Sequence, residues 1–152
     1  MIVGVISDTH GLLRPEAIDA LRACAIIVHA GDVGSPDILP ALRELAPVYA
    51  VRGNIDKEPW AQALPATVWV QAGAARLHVL HQLSDLDRSS IDERCAAVIY
   101  GHSHKPTAEY RGPVLYLNPG SAGPRRFRLP VTVARLEVKG RTVVNHELVQ
   151  LA

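Results

Sequence analysis

Three short apolar runs, each followed within a few residues by an aspartate or an asparagine, constrain the first third of this chain most. The runs are Met1 to Ile6, Ile26 to His29 and Val48 to Val51. Each has the length and the β-branched content of a buried strand. Between them lie two segments with apolar residues at helical spacing, so the order is β-α-β-α-β. This alternation predicts a parallel sheet with right-handed crossovers.

The two helical segments carry start signals as well as an apolar face. The first is predicted from Pro15 to Cys24, and the second begins with Ser35 as N-cap and Pro36 at the first position. Apolar side chains recur on one face of each predicted helix: Ala17, Ile18, Leu21 and Cys24 in the first, and Ile38, Leu39, Leu42 and Leu45 in the second.

The second half of the chain changes to short strands separated by turn residues. Strands are predicted at 67–70, 76–80, 96–100, 107–110, 114–117, 131–138 and 142–149. We expect a short helix within Ser84 to Cys95 and a tight turn at Asn118-Pro119-Gly120-Ser121. This half predicts a second sheet, mixed or antiparallel, packed on the first. Residues 1–152 are expected to form a single domain of the α/β class.

Seven polar residues lie at or just beyond the ends of predicted strands: Asp8, His10, Asp32, Asn54, His81, His102 and His104. Each alone is also typical of a turn or a cap. Asp8 and His10 are two positions apart, so in an extended chain both would point to one side and reach one metal ion. The carboxyl ends of parallel strands are where α/β folds bind ligands.

The ligand types in this set indicate which ions they would suit. Carboxylate, imidazole and amide oxygen suit manganese, iron, zinc or nickel better than calcium, and the set lacks the thiolates of a structural zinc site. Seven ligands exceed what one open catalytic ion needs. They would fill two ions about 3.5–4 Å apart that share one carboxylate.

The order of these motifs resembles the calcineurin-like metallophosphoesterases. The motifs are Asp8-Thr9-His10, Gly31-Asp32, Gly53-Asn54, His81 and Gly101-His102-Ser103-His104. Together with the chain length and Asn118-Pro119-Gly120-Ser121, the pattern is similar to the small bacterial and archaeal phosphodiesterases of that superfamily. The resemblance implies a two-sheet α/β/β/α sandwich and a dinuclear-metal-dependent phosphoesterase, with phosphodiesters as the favoured substrates.

The resemblance also implies a role for each residue. The first ion would be held by Asp8, His10 and His104, the second by Asn54, His81 and His102, and Asp32 would bridge both. Manganese is favoured, with iron, nickel, zinc or magnesium as alternatives. A hydroxide between the ions would attack phosphorus in line. Asp32, Asn54 and His102 are therefore predicted to be catalytic.

Two residues are predicted to bind the substrate. Asn54 can turn its amide NH2 toward a phosphate oxygen, and the guanidinium of Arg125 matches two phosphate oxygens. Arg125 belongs to a cluster with Arg126 and Arg128 that is slightly more typical of a solvated loop than of a phosphate site.

Two positions depart from the family pattern. Ile55 stands where many members carry a histidine that can protonate the leaving group, and Gln82 stands where glycine is common. Without that acid, esters with poor leaving groups should react slowly, which favours diesters or activated esters. The alternative is a non-catalytic scaffold of the same fold, such as a retromer subunit that has lost part of the histidine set. The presence of all four site histidines argues against it.

The charge composition limits the binding partners that are expected. Lysine and arginine number 16 and aspartate and glutamate 15, a net charge of +1, so broad electrostatic binding to nucleic acid or to an anionic membrane is not expected. The arginine cluster nevertheless keeps a nuclease that acts on long nucleic acid as an alternative function.

The N-terminus lacks the pattern of a secretory signal, and no stretch could span a bilayer, so a cytoplasmic protein is expected. The expected substrate is a small phosphodiester or phosphate ester, and a homo-oligomer is left open.

The remaining histidines and the two cysteines are expected to be structural. His29 is interpreted as a buried supporting residue, His78 as a structural residue and His146 as a surface residue. Cys24 and Cys95 show no metal-type spacing, so we interpret them as small core residues.

Overall fold

Two five-stranded sheets form the frame of the computed structural model, which describes residues 1–152. The strands are β1 Ile2–Ile6, β2 Ile26–His29, β3 Val48–Ala50, β4 Thr67–Ala72, β5 Ala75–Leu80, β6 Cys95–Ile99, β7 Thr107–Arg111, β8 Val114–Asn118, β9 Thr132–Lys139 and β10 Thr142–Gln150. The α-helices are α1 Pro15–Leu21 and α2 Ile38–Arg43, and 3₁₀ helices span Pro59–Ala63, Leu83–Asp85 and Arg88–Ser90. No helix has both the length and the apolar character needed to cross a bilayer.

The first sheet has the order β10-β9-β1-β2-β3. Its β1, β2 and β3 strands run parallel, as the alternation of strands and helices predicts. The second sheet has the order β4-β5-β6-β8-β7, with antiparallel pairs at both edges and parallel pairs around β6. The prediction of a two-sheet α/β/β/α sandwich is therefore confirmed, and the second sheet, predicted to be mixed or antiparallel, is mixed.

Three hydrophobic clusters correspond to the layers of the sandwich. The largest fills the space between the sheets, with Val5 and Leu136 from the first sheet and Leu77 and Ile99 from the second. A second cluster packs α1 and α2 on the outer face of the first sheet. On the outer face of the second sheet, Leu83, Leu86 and Ile91 cover Leu80 and Val98 in place of a long helix.

The final hairpin lies in a different sheet from the one predicted. The β9 strand pairs antiparallel with β1, so the hairpin extends the first sheet instead of the second. Its burial gives the reason. Leu136 and Ala134 point into the core between the sheets, while Val133 packs among the residues beneath the helices. A strand buried on both faces needs neighbours on both sides, and turn signals at Lys139-Gly140-Arg141 specify only the local pairing.

The helices are shorter than predicted. α1 ends at Leu21 instead of Cys24, and α2 begins at Ile38 because Ser35 and Pro36 form the turn before it. Between Ser84 and Cys95 the expected short helix is replaced by two single 3₁₀ turns. Asp87 caps the second of these turns by accepting a hydrogen bond from the Ser89 N–H at 3.1 Å, a local bond that favours turns over longer helices.

Candidate metal and phosphate site

All seven strand-end residues lie together in the structure. They follow β1, β2 and β3 of the first sheet and β5 and β6 of the second, at the edge where these strands end. Backbone hydrogen bonds join the loops across the two sheets and along them. The Gly101 N–H donates to His81 O at 2.9 Å, and the Ala122 N–H donates to Ser7 O at 3.0 Å. Residues that are far apart in sequence are therefore positioned by the packing of both sheets.

The first cluster, here called the Asp8 group, consists of Asp8, His10 and His104. Asp8 Oδ1 lies 3.4 Å from His104 Nε2 and 3.8 Å from His10 Nε2. The other carboxylate oxygen, Oδ2, accepts hydrogen bonds from the Ser7 hydroxyl at 2.6 Å and the His102 N–H at 3.2 Å. One oxygen is thus fixed by the protein while the other faces the two imidazoles.

The second cluster, the Asp32 group, consists of Asp32, His81 and His102. Asp32 Oδ2 lies 3.2 Å from His81 Nε2, and Asp32 Oδ1 accepts a hydrogen bond from the Ile55 N–H at 3.1 Å. Asn54 joins this group through its Oδ1, which is 3.1 Å from His102 Nδ1. As in Asp8, one carboxylate oxygen of Asp32 is held by a hydrogen bond and the other faces an imidazole.

The two groups adjoin each other. Asp32 Oδ2 lies 3.5 Å from His10 Nε2 of the Asp8 group, and Asp8 Oδ1 lies 3.9 Å from His81 Nε2 of the Asp32 group. Asp32 Oδ2 is therefore close to one imidazole of each group. The ring centroids of His10 and His104 are 5.2 Å apart, and those of His81 and His102 are 5.3 Å apart.

The backbone brings these side chains together in a way that the sequence does not predict. Asp8 and His10 share a site, but not through an extended chain, because both residues have left-handed φ angles of 56° and 47°. Asp32, His102 and His104 are also left-handed, with φ angles of 55°, 74° and 64°. This region is unfavourable for residues with a Cβ and is concentrated at functional sites. The prediction that Asp8 and His10 lie together is therefore confirmed, but the extended chain from which it was argued is not present.

Burial and hydrogen bonding set the charges of the groups. Burial by itself would raise the pKa of the Asp8 carboxyl, but the neighbouring His10 and His104 rings outweigh it and hold that pKa well below its usual range. Burial would likewise raise the pKa of Asp32, yet the neighbouring His81 imidazole brings it below its ordinary value. For His81, burial favours the neutral form, but Asp32 raises the pKa above its ordinary value. Two ionised carboxylates thus face a set of imidazoles.

The donor set fits divalent metal ions. The buried atoms Asp8 Oδ1, His10 Nε2 and His81 Nε2 have no hydrogen-bond partner. Leaving such atoms unpaired costs about 1–3 kcal/mol each, so native proteins rarely do so without a ligand to satisfy them. The His81 Nδ1 lies 2.7 Å from Ala30 O and donates to it, since a carbonyl can only accept. This bond turns Nε2 toward the carboxylates, the orientation typical of a metal-binding histidine.

Close backbone approach explains two glycines next to the site. A Cβ on Gly101 would overlap the side chains of Ser7 and Asp8, and a Cβ on Gly53 would overlap Asp32. Any larger residue would displace a carboxylate. These glycines allow the loops from both sheets to converge on the same few ångströms.

Asp56 is a supporting residue that sequence reasoning missed. Its buried carboxylate accepts hydrogen bonds from the N–H groups of Val33 at 3.1 Å, Gly34 at 3.0 Å and Gly53 at 2.9 Å. It therefore clamps the loop after Asp32 to the loop that carries Asn54. The signal in the sequence was an acid two residues after Asn54, which resembles an ordinary turn residue.

The other histidines support the site or lie away from it. His29 is fully buried; its Nε2 lies 3.0 Å from Thr9 Oγ1, and its Nδ1 accepts from the Gly31 N–H at 3.1 Å. Burial lowers its pKa to about 4, so it is neutral, as a supporting residue should be. His78 is buried against Trp69, with ring centroids 4.4 Å apart, and His146 lies partly exposed beside Tyr110.

Two clefts border the groups, and they share no lining residue. One, of about 350 Å³, is lined by His10, His104, Pro124, Arg125, Arg126 and Phe127. The other, of about 230 Å³, is lined by Arg52, Gly53, Asn54, Ala66, Thr67, Leu80, His81, Gln82 and Asp85. Arg125 thus lies beside the Asp8 group, and Gln82 lines the cleft of the Asp32 group. Ile55 is 42% exposed and can neither donate nor accept a proton through its side chain.

Comparison with known proteins identifies relatives along most of the chain. The model of the calcineurin-like phosphoesterase superfamily domain matches residues 1–141. A probable metallophosphoesterase of Methanothermobacter thermautotrophicus is 35% identical over 150 residues, covering 90% of this chain and 87% of the relative. Phosphodiesterase YfcE of Escherichia coli K12 is 29% identical over 161 residues, covering 86% of this chain and 84% of YfcE.

The fold is also shared with a solved structure of Vps29. Wild-type Vps29 of Entamoeba histolytica, complexed with zinc, aligns with a TM-score of 0.75 and 26% identity over 100% of both chains. Both the sequence comparison and the fold comparison therefore support the superfamily that the sequence motifs indicate.

Proposed function

Since this chain belongs to the calcineurin-like phosphoesterase superfamily, we propose that it is a dinuclear-metal-dependent phosphodiesterase. The observation that carries the proposal is the set of buried, unpartnered donor atoms on Asp8, His10 and His81. They lie in two adjoining groups that share Asp32 as a neighbour. Two cations would satisfy all of them, whereas a purely structural role leaves them orphaned.

The proposed ligands follow the two groups. Asp8, His10 and His104 would hold the first ion, Asn54, His81 and His102 the second, and Asp32 both. Manganese is the favoured ion. The same carboxylate, imidazole and amide ligands, which include no thiolate, would also accept iron, nickel, zinc or magnesium. Divalent ions, when bound, would neutralise charge on the phosphoryl oxygens and lower the pKa of a coordinated water.

The protein's own residues would position the substrate. The side chain of Asn54 is exposed beside His102, so its NH2 can donate to a phosphate oxygen while its Oδ1 faces the Asp32 group. Arg125 borders the other group and would bind a second phosphate oxygen. Phosphoryl transfer depends mainly on such positioning and charge neutralisation. Asp32, Asn54 and His102 are the residues proposed to act in catalysis.

The preference for diesters rests on Ile55. Its backbone N–H is used to hold Asp32, and its side chain is exposed where a general acid would be needed. A poor leaving group, such as a simple alkoxide, would depart without a proton donor from this position. The E. coli relative that is named a phosphodiesterase supports the same substrate class.

The proposed setting is the cytoplasm, with a small phosphodiester as substrate. A net charge of +1 provides no broad field for binding long nucleic acids or anionic membranes.

Hydrolysis assays after metal removal test this function. The protein is stripped with a chelator and assayed on a chromogenic phosphodiester and on the corresponding monoester, with and without manganese. We expect cleavage of the diester only when metal is restored, with little cleavage of the monoester. Cleavage that survives complete metal removal would contradict the dinuclear mechanism.

The alternative is a non-catalytic scaffold of this fold, and the likeness to Vps29 is in its favour. It predicts no cleavage of either ester with any divalent ion in a folded protein. The complete set of four histidines and two buried carboxylates weighs against it, because a docking surface has no need of them.

A further inference from the structure

The one phenylalanine of the chain stands out beside the Asp8 group. Phe127 is 88% exposed, although aromatic side chains are usually buried. Its φ angle is 54°, a left-handed conformation that is a true outlier for a bulky residue. Nothing in the fold core gains from this placement. Exposure together with backbone strain is typical of a residue kept for a ligand.

The segment that carries Phe127 is fixed to the candidate metal site. We call residues 123–130 the basic loop. At its start, Gly123 lies against the backbone of Asp8 and Thr9 so closely that a Cβ there would overlap the Thr9 carbonyl, and Gly123 O accepts a hydrogen bond from Arg14 Nε at 3.3 Å. Just before the loop, the Ser121 hydroxyl donates to Asp8 O at 3.0 Å.

The interior of the basic loop is also restricted. Prolines occupy positions 124 and 130, where each fixes its own φ angle. The Leu129 N–H donates to Arg126 O at 3.1 Å, which closes a turn around Phe127. The aromatic ring is therefore presented from an anchored turn rather than from a free end.

The charges of the loop have no partners within the protein. Arg125, Arg126 and Arg128 form no salt bridge and no side-chain hydrogen bond in the structure, whereas Arg22, Arg111 and Arg135 all pair with acids. Arg125 and Arg126 line the same cleft as Phe127, His10 and His104. A ligand that suits this cleft has an aromatic ring and more than one negative charge.

The cleft is placed and sized for one arm of a diester. A phosphodiester at the two groups has two ester arms, and one cleft borders each group. The volume of about 350 Å³ lies within the range of small-ligand sites. The other cleft has no Phe, Tyr or Trp in its lining, and polar side chains such as Thr67, Gln82 and Asp85 contribute to it. The two ester arms of the substrate would therefore lie in clefts of different chemical character.

We propose that the cleft beside His10 and His104 binds a nucleotide-type arm of the substrate, whose base stacks on Phe127 and whose additional phosphate pairs with Arg126. The inference rests on the proposed phosphodiesterase function for the reaction, but the recognition itself needs no hydrolysis. Stacking on an aromatic side chain tolerates any base, so the class is a nucleotidyl phosphodiester and not one particular base.

Calorimetry can test the recognition separately from catalysis. The manganese-loaded protein is titrated with thymidine 3′,5′-bisphosphate and with the base-free dideoxyribose bisphosphate. We expect the nucleotide to bind about tenfold more tightly, the magnitude of one base stacked on one aromatic ring. Because heat of binding is measured, the result does not depend on whether any diester is cleaved.

Variants test which residues cause the preference for the nucleotide over its base-free analogue. Phe127→Ala should remove the tenfold preference, and Phe127→Tyr should keep it. Arg126→Gln should weaken both ligands alike, because it acts on phosphate and not on the base. Tyr49→Ala, which truncates another exposed aromatic residue on β3, is the matched control and should leave the preference intact.

Three results would overturn the inference: the wild-type protein binds the two ligands equally, it binds neither, or the Phe127→Ala variant keeps the preference. Each of them leaves the phosphodiesterase proposal standing if metal-dependent diester cleavage is seen. Conversely, a base preference that disappears in Phe127→Ala, without any cleavage of diesters, would uphold nucleotide recognition and reject the catalytic proposal.

Discussion

The motif loops, which follow β1, β2, β3, β5 and β6 and carry the seven candidate ligands, share a backbone feature with the basic loop, but the two regions differ in their surroundings. Asp8, His10, Asp32, His102 and His104 of the motif loops are left-handed, and so is Phe127 of the basic loop. Each such residue costs on the order of 1–3 kcal/mol. The motif residues are largely buried and held by hydrogen bonds across both sheets, whereas Phe127 is 88% exposed and its side chain bonds to nothing.

The difference shows two ways in which a fold can maintain a strained residue. In the motif loops, the core and buried carboxylates compensate for the strain, so the geometry exists before any ligand arrives. In the basic loop, anchored ends hold the strain, and the exposed ring is available to a ligand from solvent. The first arrangement is suited to metal ions and the second to a larger substrate group.

The largest expected effect comes from removing the shared charge of the motif loops. Asp32→Asn keeps the side-chain shape and the acceptor for the Ile55 N–H, but loses the charge that faces both groups. We expect kcat/KM to fall by about a thousandfold, the equivalent of 3–5 kcal/mol for breaking a buried charge pair. Steady-state kinetics with manganese on a chromogenic diester provide the measurement.

Asn54→Ala is the comparison variant, with a smaller loss of about ten- to hundredfold, because Asn54 is exposed and belongs to one group only. Equal, modest losses in Asp32→Asn and Asn54→Ala would argue against a bridging role for Asp32.

The next effect concerns the clamp under the motif loops. Asp56→Asn leaves one acceptor oxygen where the carboxylate served three N–H groups. We expect the free energy of unfolding to fall by about 2–3 kcal/mol, because a buried N–H loses its partner. Urea denaturation measures this. The exposed Asp19→Asn, which breaks a surface pair with Arg22, should cost less than about 1 kcal/mol.

If Asp56→Asn were no more costly than Asp19→Asn, the left-handed motif loops would have to be held by the sheets alone, without the clamp.

A third change places an acid at the rim of the motif loops. Ile55→His introduces an imidazole at an exposed position beside the Asp32 group. A well-positioned general acid contributes about a hundredfold or more, and an unsupported one should give less, so we expect the monoester-to-diester rate ratio to rise about tenfold. The ratio is measured with paired chromogenic esters. An unchanged ratio would mean that the missing acid does not set the preference.

The smallest effect concerns the strain in the basic loop. Phe127→Asn replaces a bulky residue with one that tolerates left-handed backbone, and little buried surface is lost. We expect stability to increase by up to about 1 kcal/mol. Thermal unfolding measures this, with the exposed Leu12→Asn, at a position without positive φ, as the control. A loss of stability in Phe127→Asn would show that Phe127 supports the fold, and the contrast between the loops would then disappear.

Much of the site was predictable because its signals are local. Strand ends, helix periodicity and the residue types after each strand predicted all seven candidate ligands. The structure brings six of them into the two groups, and Asn54 joins them through His102. Asp56 escaped prediction because its three hydrogen bonds reach Val33, Gly34 and Gly53, of which only Gly53 is a close neighbour in sequence. Phe127 escaped because exposure is not visible in a sequence, and an aromatic residue is expected to be buried.

The sequence by itself determined the order of the β-α-β-α-β segment in the first third of the chain, the residues that are candidate metal ligands, and the family to which the chain belongs. Only the tertiary structure decided that the final hairpin extends the first sheet, that five of the seven candidate ligands have left-handed backbone, and that the basic loop lies beside His10 and His104. The physical reason is one of range. Periodicity and turn chemistry act over a few residues, whereas the meeting of distant loops depends on how two whole sheets pack over a shared core.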